Sequence, residues 1–235
     1  MEFTFYGDLL GIGNYYTLSS STAHKKLDSF YRETFLALKA FVERNPRNKV
    51  EMFSDSLFIV GVDAIDALRE LNLLHSQLLR KDLFLRGGIV EGYLSFEPRF
   101  TIENFNKRLP DDEKLAKAVG LEKTYKGARL IIENIMAEHL LKDQPDWLTN
   151  EGYIRTKTGN LHNEDILRKI APTPDYKGYE LLYYWTLGVG AREFKARIDH
   201  LKKLRKMQDE SIAVHTLETI SLIERSECRY KETNP

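Results

Sequence analysis

Two aspartates stand at the ends of apolar, strand-like runs. Asp8 closes Phe3 to Gly7 within Phe5-Tyr6-Gly7-Asp8-Leu9-Leu10-Gly11, and Asp55 sits in Phe53-Ser54-Asp55-Ser56, between Val50-Glu51-Met52-Phe53 and Leu57-Phe58-Ile59-Val60. A carboxylate at the tip of an apolar strand is costly without a partner. Two of them brought together by neighbouring strands repel unless a divalent cation lies between. Mn²⁺ or Mg²⁺ held by two aspartates and a nucleotide's phosphates is a recurring solution to phosphoryl-transfer chemistry. Singly, each Asp is an ordinary turn or hairpin residue. The pair, in this order, points to metal.

The elements that must position them follow from the pattern around them. Gly11-Ile12-Gly13-Asn14 reads as a flexible turn, and Ser19-Ser20-Ser21-Thr22 supplies N-caps for a helix with Leu27, Phe30, Tyr31, Leu38, Phe41 and Val42 on one stripe, ending near Asn45-Pro46. Two β-rich runs, 50–54 and 56–62, are so close that Asp55 falls at their hairpin turn. Asp63 caps a second helix carrying Ile65, Leu68, Leu71 and Leu78, and Leu83 to Leu94 is a further strand region with glycines at 87, 88 and 92. The order β-α-β-β-α-β is the split βαβ, ferredoxin-like palm, an α+β fold.

Beyond it, 97–123 is charged and reads as a surface insertion with a short helix around Glu113 to Ala118. A third helix is expected from Gly127 to about Leu141, loops with one short helix near 163–170, a strand at Tyr179 to Leu187, and charged helices from Ala191 to about Arg229. These give a palm domain over 1–187 and a C-terminal helical extension over 188–235.

Composition narrows the function. Among 235 residues, 35 Lys and Arg balance 35 Asp and Glu, so no bulk charge points to nucleic acid or a membrane surface, and phosphate binding must be local. One cysteine, Cys228, excludes an internal disulfide framework and a cysteine zinc site; with no bilayer-length apolar run or signal segment, a cytoplasmic protein is expected. The six histidines show no paired metal spacing, and Gly11-Ile12-Gly13 lacks the rest of a dinucleotide fingerprint.

With two acidic strand-end motifs on this plan, the chain resembles a class III nucleotidyl cyclase catalytic domain. Phe5-Tyr6-Gly7-Asp8-Leu9-Leu10-Gly11 is similar to the family's Phe-x-Asp-Ile-x-Gly. Leu85-Arg86-Gly87-Gly88-Ile89-Val90-Glu91-Gly92 is similar to its Arg-Ile-Gly-x-x-x-Gly strand, and Tyr125-Lys126-Gly127 to its Trp-Gly segment before a helix. The resemblance spans roughly 1–140 and implies two Mn²⁺ or Mg²⁺ ions on Asp8, the Leu9 carbonyl and Asp55. It implies a triphosphate on the backbone N–H groups of Leu10, Gly11 and Ile12, and a homodimer that completes the pocket.

Lys126 and Arg129 are read as opening a helix, where the dipole disfavours cations, and so as phosphate candidates. Glu51, four residues before Asp55, and Thr124, three before Gly127, fall at the family's base-reading positions and lean towards guanine; Glu51 equally suits a solvent-facing strand residue. Counted from Gly127, the family's transition-state Asn and Arg fall on Ile131 and Ile135, so neither is present. Phe-Ser-Asp-Ser and Arg-Gly-Gly-Ile resemble a bacterial branch that includes the pyrimidine cyclases of Pycsar antiphage systems. That branch implies UTP ahead of CTP as substrate and a cyclic nucleotide read by a separate effector. Tyr6, Met52 and Phe53 offer bulk to shrink a base pocket. Alternatives from other classes are a guanylate or adenylate cyclase, a nucleotide-binding palm without turnover, and a palm that joins two nucleotides.

Overall fold

Alternation along the strands decides which side chains meet the core and which face the site. The structure is a computed structural model that describes residues 1–102, 105–143, 167–169, 178–181, 191–206, 208 and 210–233. In chain order its elements are β1 (Phe3–Leu9), α1 (Ile12–Leu18), α2 (Ser20–Arg44), β2 (Lys49–Phe53), β3 (Ser56–Gly61), α3 (Ala64–Arg80) and β4 (Leu85–Glu91). Then follow β5 (Phe96–Ile102), β6 (Phe105–Pro110), α4 (Lys114–Thr124), β7 (Leu130–Glu133), α5 (Asn134–Asp143), β8 (Leu167–Lys169), β9 (Gly178–Leu181), α6 (Ala191–Arg205) and α7 (Glu210–Thr233).

The main sheet runs β2-β3-β1-β4-β7-β9-β8, with β1 antiparallel to both β3 and β4. Its first four strands keep the expected palm order, and β9 extends the sheet on the antiparallel side of β7. Ser19 Oγ accepts from the Thr22 N–H at 3.3 Å, and the Asp63 carboxylate accepts from Ile65 and Asp66, so both helix starts stand where their capping residues put them. Phe3, Phe5, Leu9, Leu57, Ile59, Leu85, Ile89, Leu130 and Ile132 face one side of the sheet. There they form one core with Phe30 and Phe41 of α2, Leu71 and Leu78 of α3, Met136 of α5, and Phe194, Leu201, Leu222 and Ile223 of α6 and α7. The helices after residue 190 therefore share the palm's core.

Several expectations are corrected. Gly11 caps a short helix that begins at Ile12, where a flexible turn was expected. The stretch 97–123 is two things: a hairpin, β5–β6, and a helix that belongs to the palm. That helix, α4, lies on the second face of the sheet, where Ala118 and Leu121 pack with Val90 and Ile131. Gly88 permits this approach, since a Cβ there would stand 2.2 Å from the Ala118 carbonyl oxygen. The residues after Gly127 form β7, parallel to β4, and the helix starts only at Asn134. Thus β4-α4-β7 is a parallel crossover, which needs a helix between its strands. The short helix expected near 163–170 is replaced at 167–169 by β8, and the rest of that segment lies outside the described residues, as do 182–187 of the expected strand at 179–187.

Candidate active site

The candidate residues gather on the second face of the sheet, opposite the main core. Register pairs Asp8 with Ser56 on one side and with Arg86 on the other, so all three side chains share this face with Tyr6, Phe58 and Glu51. Ser54 and Asp55 form the two-residue turn between β2 and β3, and Ser54 takes φ 55°, the left-handed conformation that primed hairpin turns require. The Leu9 N–H donates to the Asp55 carbonyl at 3.0 Å, drawing that turn onto the end of β1. The Tyr31 hydroxyl donates to the Ser54 carbonyl at 2.8 Å and ties the same turn to α2.

Asp8 and Asp55 are close enough for their charges to interact. The Asp8 carboxyl is pushed up from 3.8 to about 6, by burial first, then by the charge of Asp55 and that of Glu122; Arg86 and a hydrogen bond with Ser56 oppose the rise. Burial also raises the Tyr6 phenol, whose oxygen lies 3.4 Å from Ser56 Oγ. A carboxylate that resists ionisation beside another carboxylate is a place where a hard divalent cation fits. Among the described residues no three His, Cys, Asp or Glu side chains converge into a ready-made cage. Two carboxylates suffice for Mg²⁺-like ions, which keep waters and take substrate phosphate oxygens for the remaining positions.

The sign of the Asp8 shift gives a stability prediction. The folded protein holds a proton that the unfolded chain releases, so this group favours folding below the ordinary carboxylate value and loses that contribution as pH rises through about 6. In chelator, the melting temperature should decline with rising pH across that window more in the wild type than in Asp8→Asn. Mn²⁺ should restore it above the window, because the bound ion takes the ionised carboxylate. Superimposable pH profiles for the two proteins would refute the assignment.

The other expected residues are placed as follows. The Leu10 N–H, expected on the triphosphate, donates to the Phe84 carbonyl at 2.9 Å. Gly11, with φ 81°, and Ile12 begin α1 beside Asp8 and Leu9. Lys126 is exposed, and its charge acts on Glu122 and His215. Arg129 opens no helix: it precedes β7, is buried, and bonds Glu218 of α7 at 2.6 Å with its guanidinium over the Tyr125 ring.

Glu51 lines an open groove of about 370 Å³ with Lys49, Phe58, Val60 and Tyr93, whereas Thr124 lines a different one with Val90, Lys117 and Glu133, so one chain does not bring the two base-reading candidates together. Met52 packs on the main core, away from the site face; Tyr6 lies on that face, tilted against Phe58 at 5.0 Å, and so does Phe53, which pairs with Ser56 but is 81% exposed. Ile131 is buried in β7 and Ile135 is exposed on α5. The helix that crosses the site face is α4, so counting from Gly127 measured the wrong element. What the residue pattern did not single out is Glu122, on the last turn of α4, in contact with Arg86 Nε. Nothing in Gly120-Leu121-Glu122-Lys123-Thr124 separates it from a solvated charge.

No family model and no curated protein matches the chain. Solved structures do share its fold. The adenylyl cyclase CyaB from P. aeruginosa is 14% identical, with 77% of this chain and 93% of that one covered at a TM-score of 0.53. Adenylate cyclases from Trypanosoma brucei, in their monomeric state, give 12% identity, 80% and 91% coverage and a TM-score of 0.54. A bacterial light-regulated adenylyl cyclase gives 13%, 77% and 88%, and 0.51. The fold is therefore a palm of the kind those cyclases have. Among the described residues no helix is long and apolar enough to cross a membrane.

Proposed function

We propose that this chain is a metal-dependent nucleotidyl cyclase. The observation that carries the reading is the pair Asp8 and Asp55, held at one end of the palm by the bond from the Leu9 N–H to the Asp55 carbonyl. Asp8, the Leu9 carbonyl and Asp55 would hold Mn²⁺ or Mg²⁺, two ions per site. When bound, such ions lower the pKa of the attacking hydroxyl and offset charge on the phosphates.

The reaction is intramolecular. The ribose 3′-oxygen forms a bond to the α-phosphorus, the bond from that phosphorus to the oxygen bridging to the β-phosphate breaks, pyrophosphate departs, and the hydroxyl proton passes to solvent. The chain's own residues bind and orient: the N–H groups of Gly11 and Ile12 and the ammonium of Lys126 are the triphosphate donors. The groove beside Glu51 and Phe58 offers an aromatic face and a carboxylate to a base.

For the substrate we favour UTP ahead of CTP, on the resemblance to the pyrimidine branch, with the product serving as an antiphage signal for a separate effector in the cytoplasm. A homodimer with two symmetry-related sites fits this reading, since Glu51 and Thr124 lie in separate grooves of one chain and a second copy can join them. The palm over 1–187 carries the chemistry, and the helices of 188–235 support it.

The test incubates the protein with Mn²⁺ and equimolar UTP, CTP, GTP and ATP and separates the products. Cyclic UMP should predominate. Cyclic GMP or cyclic AMP in excess would overturn the pyrimidine preference. Nucleotide binding without any cyclic product would make the chain a binding module, and a dinucleotide product would make it a joining enzyme. Light scattering that shows only monomer at full activity would refute the dimer.

A further inference from the structure

Glu33 and Glu122 are the buried carboxylates among the described residues. Glu33 has an evident structural role, bonded by Lys81 at 2.5 Å and Arg32 at 3.2 Å. Glu122 is different. Its side chain is 1% exposed, it stands on the last turn of α4, and it holds Arg86 by Nε on the face that carries Asp8. A carboxylate there is doubly disfavoured, by burial and by the negative end of the helix dipole. Burying such a pair is a weak way to gain stability, because apolar side chains of similar volume serve as well or better.

What the pair does accomplish is direction. Arg86 is fixed at its root by the register of β4, directly opposite Asp8. Its guanidinium is a planar fork, so engaging Nε sets where the other two nitrogens point. With Glu122 on Nε, Nη2 stands 3.9 Å from Asp8 Oδ2, beyond hydrogen-bonding distance. Released from Glu122, the guanidinium needs to move only about an ångström to form a direct pair with Asp8, since charge-assisted bonds settle below about 3 Å. That pair would compete with a divalent cation for the same carboxylate.

We propose that Glu122 is a positioning residue that latches Arg86 so that its outer nitrogens meet the phosphate held beside Asp8, which makes Arg86 the cation opposing charge at the α-phosphate. This inference rests on the cyclase reading and adds to it a cation for the α-phosphate and the residue that aims it. Arg86 contacts substrate; Glu122 acts only through Arg86.

Two variants test it. Glu122→Gln should lower kcat about tenfold, as loss of an outer partner typically does. It should leave the KM for nucleotide within about threefold and raise the Mn²⁺ concentration for half-maximal rate, a shift that a merely structural role would not produce. The double variant Arg86→Met/Glu122→Met removes both charges together, so it should melt as cooperatively as the wild type while kcat falls about a hundredfold, the effect of losing one preorganised donor. It also decides the matter if Glu122→Gln does not fold.

Wild-type kcat in the double variant, or unchanged kcat and Mn²⁺ dependence in Glu122→Gln, overturns the latch and leaves the cyclase reading standing. If the wild type forms no cyclic product, calorimetry with UTP and Mn²⁺ separates the two: about tenfold weaker binding in the double variant supports the latch while the reaction assignment falls. Equal binding by the two proteins, or none by the wild type, overturns the latch.

Discussion

Asp55→Ala should lose at least about a thousandfold in cyclising rate, because removing a shared ligand forfeits several kcal/mol of charge stabilisation. The melting temperature should stay within a few degrees of the wild type. Asp55 lies in the turn between β2 and β3, its carboxyl is outside the hydrophobic core, and the contact that fixes the turn uses its backbone carbonyl, which Ala retains. The variant also removes the charge that ranks second among the causes of Asp8's raised pKa, so Asp8 should titrate closer to its ordinary value. Asp8→Ala should lose activity to the same degree. A rate assay across all four nucleotides with Mn²⁺, run beside thermal melts, checks both. If Asp55→Ala still cyclises at the wild-type rate, the metal assignment is wrong.

The half of the site that could be read from the chain is the half made by local structure. Asp8 and Asp55 were visible because each terminates its own apolar run, and because the palm order makes β1 and β3 neighbours. The caps at Ser19 and Asp63 were visible for the same reason: a cap is a contact within a few residues. Glu122 was invisible because its meaning lies entirely in Arg86, a partner on another element. The error around Gly127 has a different cause. Leu130 to Ile132 of β7 are fully buried in a short parallel strand and read as an unbroken apolar run, and α5 starts directly after Glu133 with no turn residue between. Such a run cannot be told from a buried helix by periodicity. The converse mistake fell on α4, whose charged outer face and interior Gly120 hid the narrow contact of Ala118 and Leu121 with the sheet. Both mistakes displaced the same thing, the identity of the helix that crosses the site face.

Setting apart the helices after residue 190 as an extension leads to an expectation the core argues against. A chain ending at residue 190 should fail to fold cooperatively. Phe194, Leu201, Ile220, Leu222 and Ile223 are each at most 4% exposed and belong to the same cluster as Phe5 and Leu78. At about 1.5–3 kcal/mol for each buried side chain, their loss is comparable to the whole stability of a typical domain, about 5–15 kcal/mol. Polar contacts go with them. Thr219 Oγ1 accepts from the Ala128 N–H at 2.9 Å, His215 Nδ1 from the Gly127 N–H at 3.2 Å, and Glu218 from buried Arg129. Truncation would also take this carboxylate from the guanidinium, a further penalty. Because these bonds hold the segment between α4 and β7, the damage should reach Glu122 and Arg86 as well as the main core. Circular dichroism and denaturant titration of the truncated chain should show a broad, non-cooperative transition. A sharp transition within a few degrees of the full chain, with activity intact, would make residues 191–235 an appendage and refute the shared core.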